Sequence, residues 1–183
     1  MKKSHGINTK AIAEQLKQML DANPDRFKNV KLFYDHGDSS KQEVCQPTTY
    51  MGRRYGADAT LSAVDIVVTK GSDVITAVEI EESTIRPKTI IGEIFGIVLA
   101  RNMRILDKFY SIKNATIIIA IKGTGKGKQS SKYVRLERHL NNFFKLNPLE
   151  SVKRVRIITS LAEDLVRRVE RLIRLEVGKQ SRE

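Results

Sequence analysis

Three acidic residues stand where strand logic asks for apolar ones. Asp65 interrupts the apolar set Ala63, Val64, Ile66, Val67 and Val68, and Glu79 and Glu81 close the run Val74-Ile75-Thr76-Ala77-Val78. Between the two runs lies Lys70-Gly71-Ser72-Asp73, a tight-turn composition, so the pair reads as a hairpin over Ala59–Val68 and Asp73–Glu81. Side chains alternate between the faces of a strand, which puts Glu79 and Glu81 on one face and Val78, Ile80 and Glu82 on the other. In an antiparallel pairing Asp65 lies opposite the acidic face, and three carboxylates converge. Like charges this close repel strongly at low dielectric, and a divalent cation relieves the repulsion. The alternative is structural, with Asp65 a satisfied strand-end carboxylate and Glu79 and Glu81 facing solvent or pairing with Lys or Arg.

Other reactive groups are thin. His5, His36 and His139 are scattered without zinc-ligand spacing and read as ordinary surface or loop histidines. Cys45, the one cysteine, has no evident activating partner and reads as a buried thiol. Gly123-Thr-Gly-Lys-Gly-Lys-Gln-Ser follows an apolar run as a phosphate-binding loop would. It fails the pattern G-x-x-x-x-G-K-[ST], because Lys122 falls at the first glycine and Gln129 at the Ser/Thr. Nucleotide hydrolysis is therefore disfavoured. Lys122, Lys126, Lys128 and Lys132 make better sense as contacts to a phosphate backbone, against the alternative of a solvated turn. Arg53 and Arg54 read either as phosphate contacts or as solvated side chains.

The elements that must position these residues follow from periodicity. Ile12, Leu16, Met19 and Leu20 are spaced for a helix over 8–22, which Asn23-Pro24-Asp25 ends. Residues 29–34 suggest a strand, 35–49 a loop, and 50–59 are ambiguous. After the hairpin, Pro87 is well placed to open a helix expected over 87–106, with Ile91, Ile94, Phe95, Val98 and Asn102 on one face and Gly92 and Gly96 allowing close packing on the sheet. A buried strand over 115–122, an amphipathic helix over 133–146, a strand over 152–159 and a last helix over 161–177 complete the order. In the last helix Leu165, Val169, Leu172, Ile173 and Val177 form an apolar stripe, to be covered by its own sheet or by a second copy. The alternation implies an α/β fold with a mixed central sheet flanked by helices.

At 183 residues the chain suits a single domain, 1–183, with room for a sizeable core. One cysteine excludes an intrachain disulfide and fits an intracellular, cytoplasmic setting. Met1–Gly6 is basic but leads into no apolar signal core, and the longest apolar runs, at 94–100 and 115–121, are far too short to cross a bilayer. The net charge of +12 is unevenly spread: residues 101–183 hold 20 Lys and Arg against 8 Asp and Glu, and residues 1–100 hold 13 of each. The whole excess sits in the half that lacks the carboxylates. A polyanionic partner is the natural reading, nucleic acid ahead of an acidic membrane surface.

Element order and carboxylate spacing together resemble the PD-(D/E)XK nuclease superfamily, the restriction-endonuclease-like fold. Asp65 stands at the motif's Asp and Glu79 at its (D/E); the lysine position is Glu81, giving the Glu-x-Glu variant. The resemblance covers about 8–123, leaving 124–183 as a basic elaboration. It implies a Mg²⁺-dependent DNA endonuclease, with Mn²⁺ as a substitute metal. Asp65, Glu79 and the Ile80 carbonyl would hold the metal, Glu81 would orient the attacking water or add a ligand, and Lys88 would take the place of the missing lysine. DNA is the implied partner and a homodimer the implied assembly, since cutting two strands usually takes two sites. The rival reading is a catalytically inactive DNA-binding protein on the same fold.

Overall fold

The apolar runs pair into one eight-stranded mixed sheet. The computed structural model describes residues 6–36, 40–52, 58–82, 85–123 and 130–180. In chain order the elements are α1 (Ile7–Asp21), β1 (Val30–Tyr34), β2 (Thr48–Tyr50), β3 (Thr60–Ala63), β4 (Ile66–Lys70), β5 (Asp73–Glu81), α2 (Pro87–Val98), β6 (Asn102–Ile105), β7 (Lys108–Lys122), α3 (Ser131–Leu146), β8 (Val152–Ser160) and α4 (Ala162–Gln180). β4 pairs antiparallel with β1 and with β5, whereas β5, β7 and β8 run parallel. The first residues of β7 pair antiparallel with β6, and the sheet continues from there through β2 to β3.

Strand alternation gives each face of the sheet its own core. One face carries Ile66, Val68, Val78 and Ile118 against Ile12 and Leu16 of α1 and Leu165, Val169, Ile173 and Val177 of α4. The other carries Val67, Ala77, Ile117 and Ile119 against Ile90, Ile94 and Ile97 of α2 and Tyr133, Leu140 and Phe144 of α3. The apolar stripe of α4 is thus consumed by its own sheet and is not available as a seam between copies. Among the described residues, no helix is long and apolar enough to cross a membrane.

Four placements differ from the sequence reading, the first being β2, which takes the end of the stretch expected as loop over 35–49 into the sheet. The run expected as one strand over 59–68 is two, split at Val64-Asp65. β3 pairs with β2 at one rim of the sheet, while β4 is flanked by β1 and β5. The helix expected over 87–106 ends at Val98, because Asn102–Ile105 alternates with Met103 and Ile105 buried and forms a hairpin with β7 through Leu106, whose φ is 55°. That hairpin also starts β7 seven residues before the expected 115. Of the two helix glycines only Gly96 serves close packing. A Cβ there would meet Ser62 at 3.0 Å, while Gly92 faces open space.

β8 pairs with β7 and leaves its other backbone edge to α3. Asn141 receives the Val155 N–H on Oδ1 and donates Nδ2 to the Val155 carbonyl, both at 2.9 Å. One turn earlier Glu137 accepts the Ile157 N–H at 2.7 Å and pairs with Arg156 at 3.0 Å. Helix side chains so occupy hydrogen-bonding groups that would otherwise template another strand. Replacing Asn141→Ala strands both Val155 groups and is expected to destabilise the protein by about 1–3 kcal/mol, measured by urea unfolding.

Candidate active site

The break between β3 and β4 sets Asp65 at the amino end of β4, beside the carboxyl end of β5. Ile66 is opposite Val78, so β5 runs past its partner for Glu79, Ile80 and Glu81. Asp65 fills the vacated ladder position: its Oδ2 accepts the Ile80 N–H at 2.7 Å. Its own backbone is held by Asp35, whose N–H donates to the Asp65 carbonyl at 2.8 Å. Val67, Ala77 and Phe33 belong to the α2/α3 face, and alternation from them puts Asp65, Glu79, Glu81 and Asp35 on that same face.

Glu79 is the residue under most stress. It is 7% exposed, and its Oε1 has no hydrogen-bond partner. The contrast with Glu176 is direct. Glu176 is equally buried on the opposite face, but one oxygen takes the Thr116 hydroxyl at 3.0 Å and the other pairs with Arg154. Burial first, then the charges of Asp65 and Glu93, push the Glu79 carboxyl well above its ordinary range; a hydrogen bond from the Asp65 backbone offsets only part of this. Burial also raises Asp65, against the pull of the Ile80 N–H and of His36. Glu93 is raised by burial and by Asp65.

Glu93 was missed in the sequence, although the signal was the one that found Asp65: an acid inside an apolar run, here Ile90-Ile91-Gly92-Glu93-Ile94. It lies on α2, half-buried, where its charge reaches both Asp65 and Glu79. Glu81 is half-buried on the acidic face as expected. Glu82 points to the other face and does structural work, taking the Asn8 amide at 2.6 Å and Lys122 at 3.7 Å at the start of α1. His36 and Asp35, read as loop residues, also belong to this rim.

Because β5, β7 and β8 are parallel, their carboxyl ends and the starts of α2, α3 and α4 share one end of the sheet. The contact between Asn8 and Glu82 brings the start of α1 to the same end. Helix amino termini carry partial positive charge and suit an anionic ligand beside the carboxylates. Lys88 lies in the first turn of α2 and is exposed. Lys122 closes β7 next to Glu82, and Lys132 lies over the Tyr133 ring at 4.6 Å in the first turn of α3. Arg53, Arg54, Lys126 and Lys128 lie outside the described residues. Burial pushes the Cys45 thiol up to about 11, which removes it as a nucleophile.

Among the described residues, no group of three or more His, Cys, Asp and Glu side chains is arranged to hold a metal ion. Two carboxylates and a main-chain carbonyl remain. The N–H and C=O of one strand residue point to the same neighbour, so the Ile80 carbonyl turns towards the side where its N–H meets Asp65. One or two carboxylates with water completing the shell is how Mg²⁺ is usually bound. The orphaned Glu79 oxygen fits such a cation. No family model matches the chain, and neither curated proteins nor solved structures gave a match.

A carboxyl whose folded pKa lies above its unfolded value contributes most to stability below the unfolded value, near 4.5 for Glu79, and loses that contribution as pH rises through the folded value. The metal-free protein is therefore expected to gain thermal stability as pH falls from neutral towards 4.5. Glu79→Gln should flatten that slope and raise stability at neutral pH by about 1–3 kcal/mol. Scanning calorimetry across that range measures both effects.

Proposed function

We propose that this chain is a Mg²⁺-dependent DNA endonuclease with a restriction-endonuclease-like core. The observation that carries the reading is the orphaned, buried carboxylate of Glu79 beside Asp65, at the end of the sheet where four helices begin. The order β1-β4-β5-β7, antiparallel in its first two pairings and parallel in the third, supports the core, with α2 connecting β5 onward and α1 ahead of β1. Asp65, Glu79 and the Ile80 carbonyl are the proposed metal ligands. When bound, the metal lowers the pKa of a coordinated water and offsets charge on the phosphate.

The residues of the chain supply the rest. Glu81 and Glu93 flank the pair and would orient a water for in-line attack. Lys122 and Lys132, with Arg53, Arg54, Lys126 and Lys128, are the proposed contacts to the DNA backbone, and Lys88 supports them from α2. A charge excess of this size makes binding strongly salt-dependent. A homodimer, if two strands are cut together, must use a surface other than the α4 stripe, which its own sheet covers.

The test is cleavage of supercoiled plasmid and of a branched duplex with Mg²⁺, Mn²⁺ or EDTA. Wild type is expected to cut only with metal. Asp65→Asn and Glu79→Gln should each lose about a hundredfold or more in rate, and Glu93→Gln about tenfold. Well-folded wild type that binds DNA and cuts neither substrate with either metal would remove the enzyme reading and leave the inactive DNA-binding protein.

A further inference from the structure

His36 is the second residue past β1, next to Asp35, whose N–H is bonded to the Asp65 carbonyl. Its φ is +64°, in the left-handed region that glycine enters at no steric cost. The chain keeps it there from both sides. Asp35 Oδ1 accepts the His36 N–H at 2.8 Å, and α1 opens at Gly6, where a Cβ would come within 2.4 Å of the His36 Cβ. The Asp35 Oδ2 is committed to the Gln46 amide at 3.1 Å and lies 3.9 Å from His36 Nε2, too far for a hydrogen bond. Among the described residues the ring makes no hydrogen bond, and its side chain is 45% exposed. A glycine-favouring position beside the carboxylate pair thus holds an imidazole with uncommitted N–H capacity. Outliers of this kind gather at functional sites.

In the Glu-x-Glu arrangement Glu81 stands at the lysine position and offers a phosphate no positive charge. His36 acts electrostatically on Asp65. We propose that His36 is a substrate-binding residue, its imidazole N–H donating to a non-bridging oxygen of the phosphodiester held between Asp65, Glu79 and the α1 amino terminus. This rests on the phosphodiester reading above and adds to it a residue on β1's exit turn, on the opposite side of β4 from Glu79.

Two variants and two readouts test it. His36→Gly removes the ring and suits the backbone, so its Tm should equal or exceed that of wild type. His36→Asn tolerates the same conformation and offers an amide N–H. In single-turnover cleavage with Mg²⁺, His36→Gly should fall at least about thirtyfold with metal affinity changed less than about twofold, and His36→Asn should recover part of the loss. Separately, the His36 ring signals of Ca²⁺-loaded protein, assigned by their loss in His36→Gly, should shift when a short DNA duplex is added. Equal cleavage by His36→Gly and wild type, or an unmoved His36 signal on DNA that does bind, overturns the proposal. If wild type cuts nothing, the phosphodiester hydrolysis reading fails by itself. The ring-signal titration then decides: a shift keeps His36 as a phosphate contact, and none removes it.

Discussion

The architecture depends on one unfavourable placement, a glutamate carboxyl buried on a central strand without a donor for one of its oxygens. Unpaired buried charge is among the most costly things a fold can contain, and it persists only where something offsets it or where the group stays protonated. Around Glu79 the neighbouring side chains increase the cost: Asp65 across the ladder and Glu93 from α2 add negative charge, and the Asp65 backbone N–H offsets only part of it. The same protein solves the same problem on the opposite face by giving Glu176 both Arg154 and Thr116. The chain can therefore satisfy a buried glutamate, and at Glu79 it does not.

What surrounds that placement is organised to use it. Ending the β4 pairing at Ile66 frees the last residues of β5, and Asp65 takes the Ile80 N–H that no strand partner claims. Strand alternation then divides the acids by task. Glu79 and Glu81 face α2, while Glu82, one residue further, turns to the opposite face and anchors the start of α1. The parallel strands deliver three helix starts to this end of the sheet, and Glu82 fixes a fourth. A carboxylate cluster framed by helix amino termini attracts a cation to one part of the site and an anion to the next, as a metal-assisted reaction on a phosphate ester requires.

Much of this was legible in the residues, for a stated reason. Period-two alternation around Asp65, Glu79 and Glu81 is a local signal, and it located the acidic face and the hairpin turn. The α1, α3, β8 and α4 elements followed from equally local periodicities. The misses arise where two periods overlap. Val98 and Asn102 are spaced for a helix, yet Met103 and Ile105 alternate for a strand, and hairpin pairing with β7 decided the outcome. Glu93 and His36 were missed differently. Glu93 carried the local signal of an acid inside an apolar run, whereas His36 matters only because the β1 exit turn lies beside Asp65, and no sequence window contains both of those.

The central claim is that the Asp65–Glu79 pair is held ready for a divalent cation. Isothermal titration of the protein with Mn²⁺, run in two buffers of different ionisation enthalpy, tests it most directly. The account predicts one site, with protons released on binding because raised carboxyls must ionise, and loss of that site in Glu79→Gln. Folded wild type that takes up no Mn²⁺, or takes it up equally in Glu79→Gln, would contradict the account.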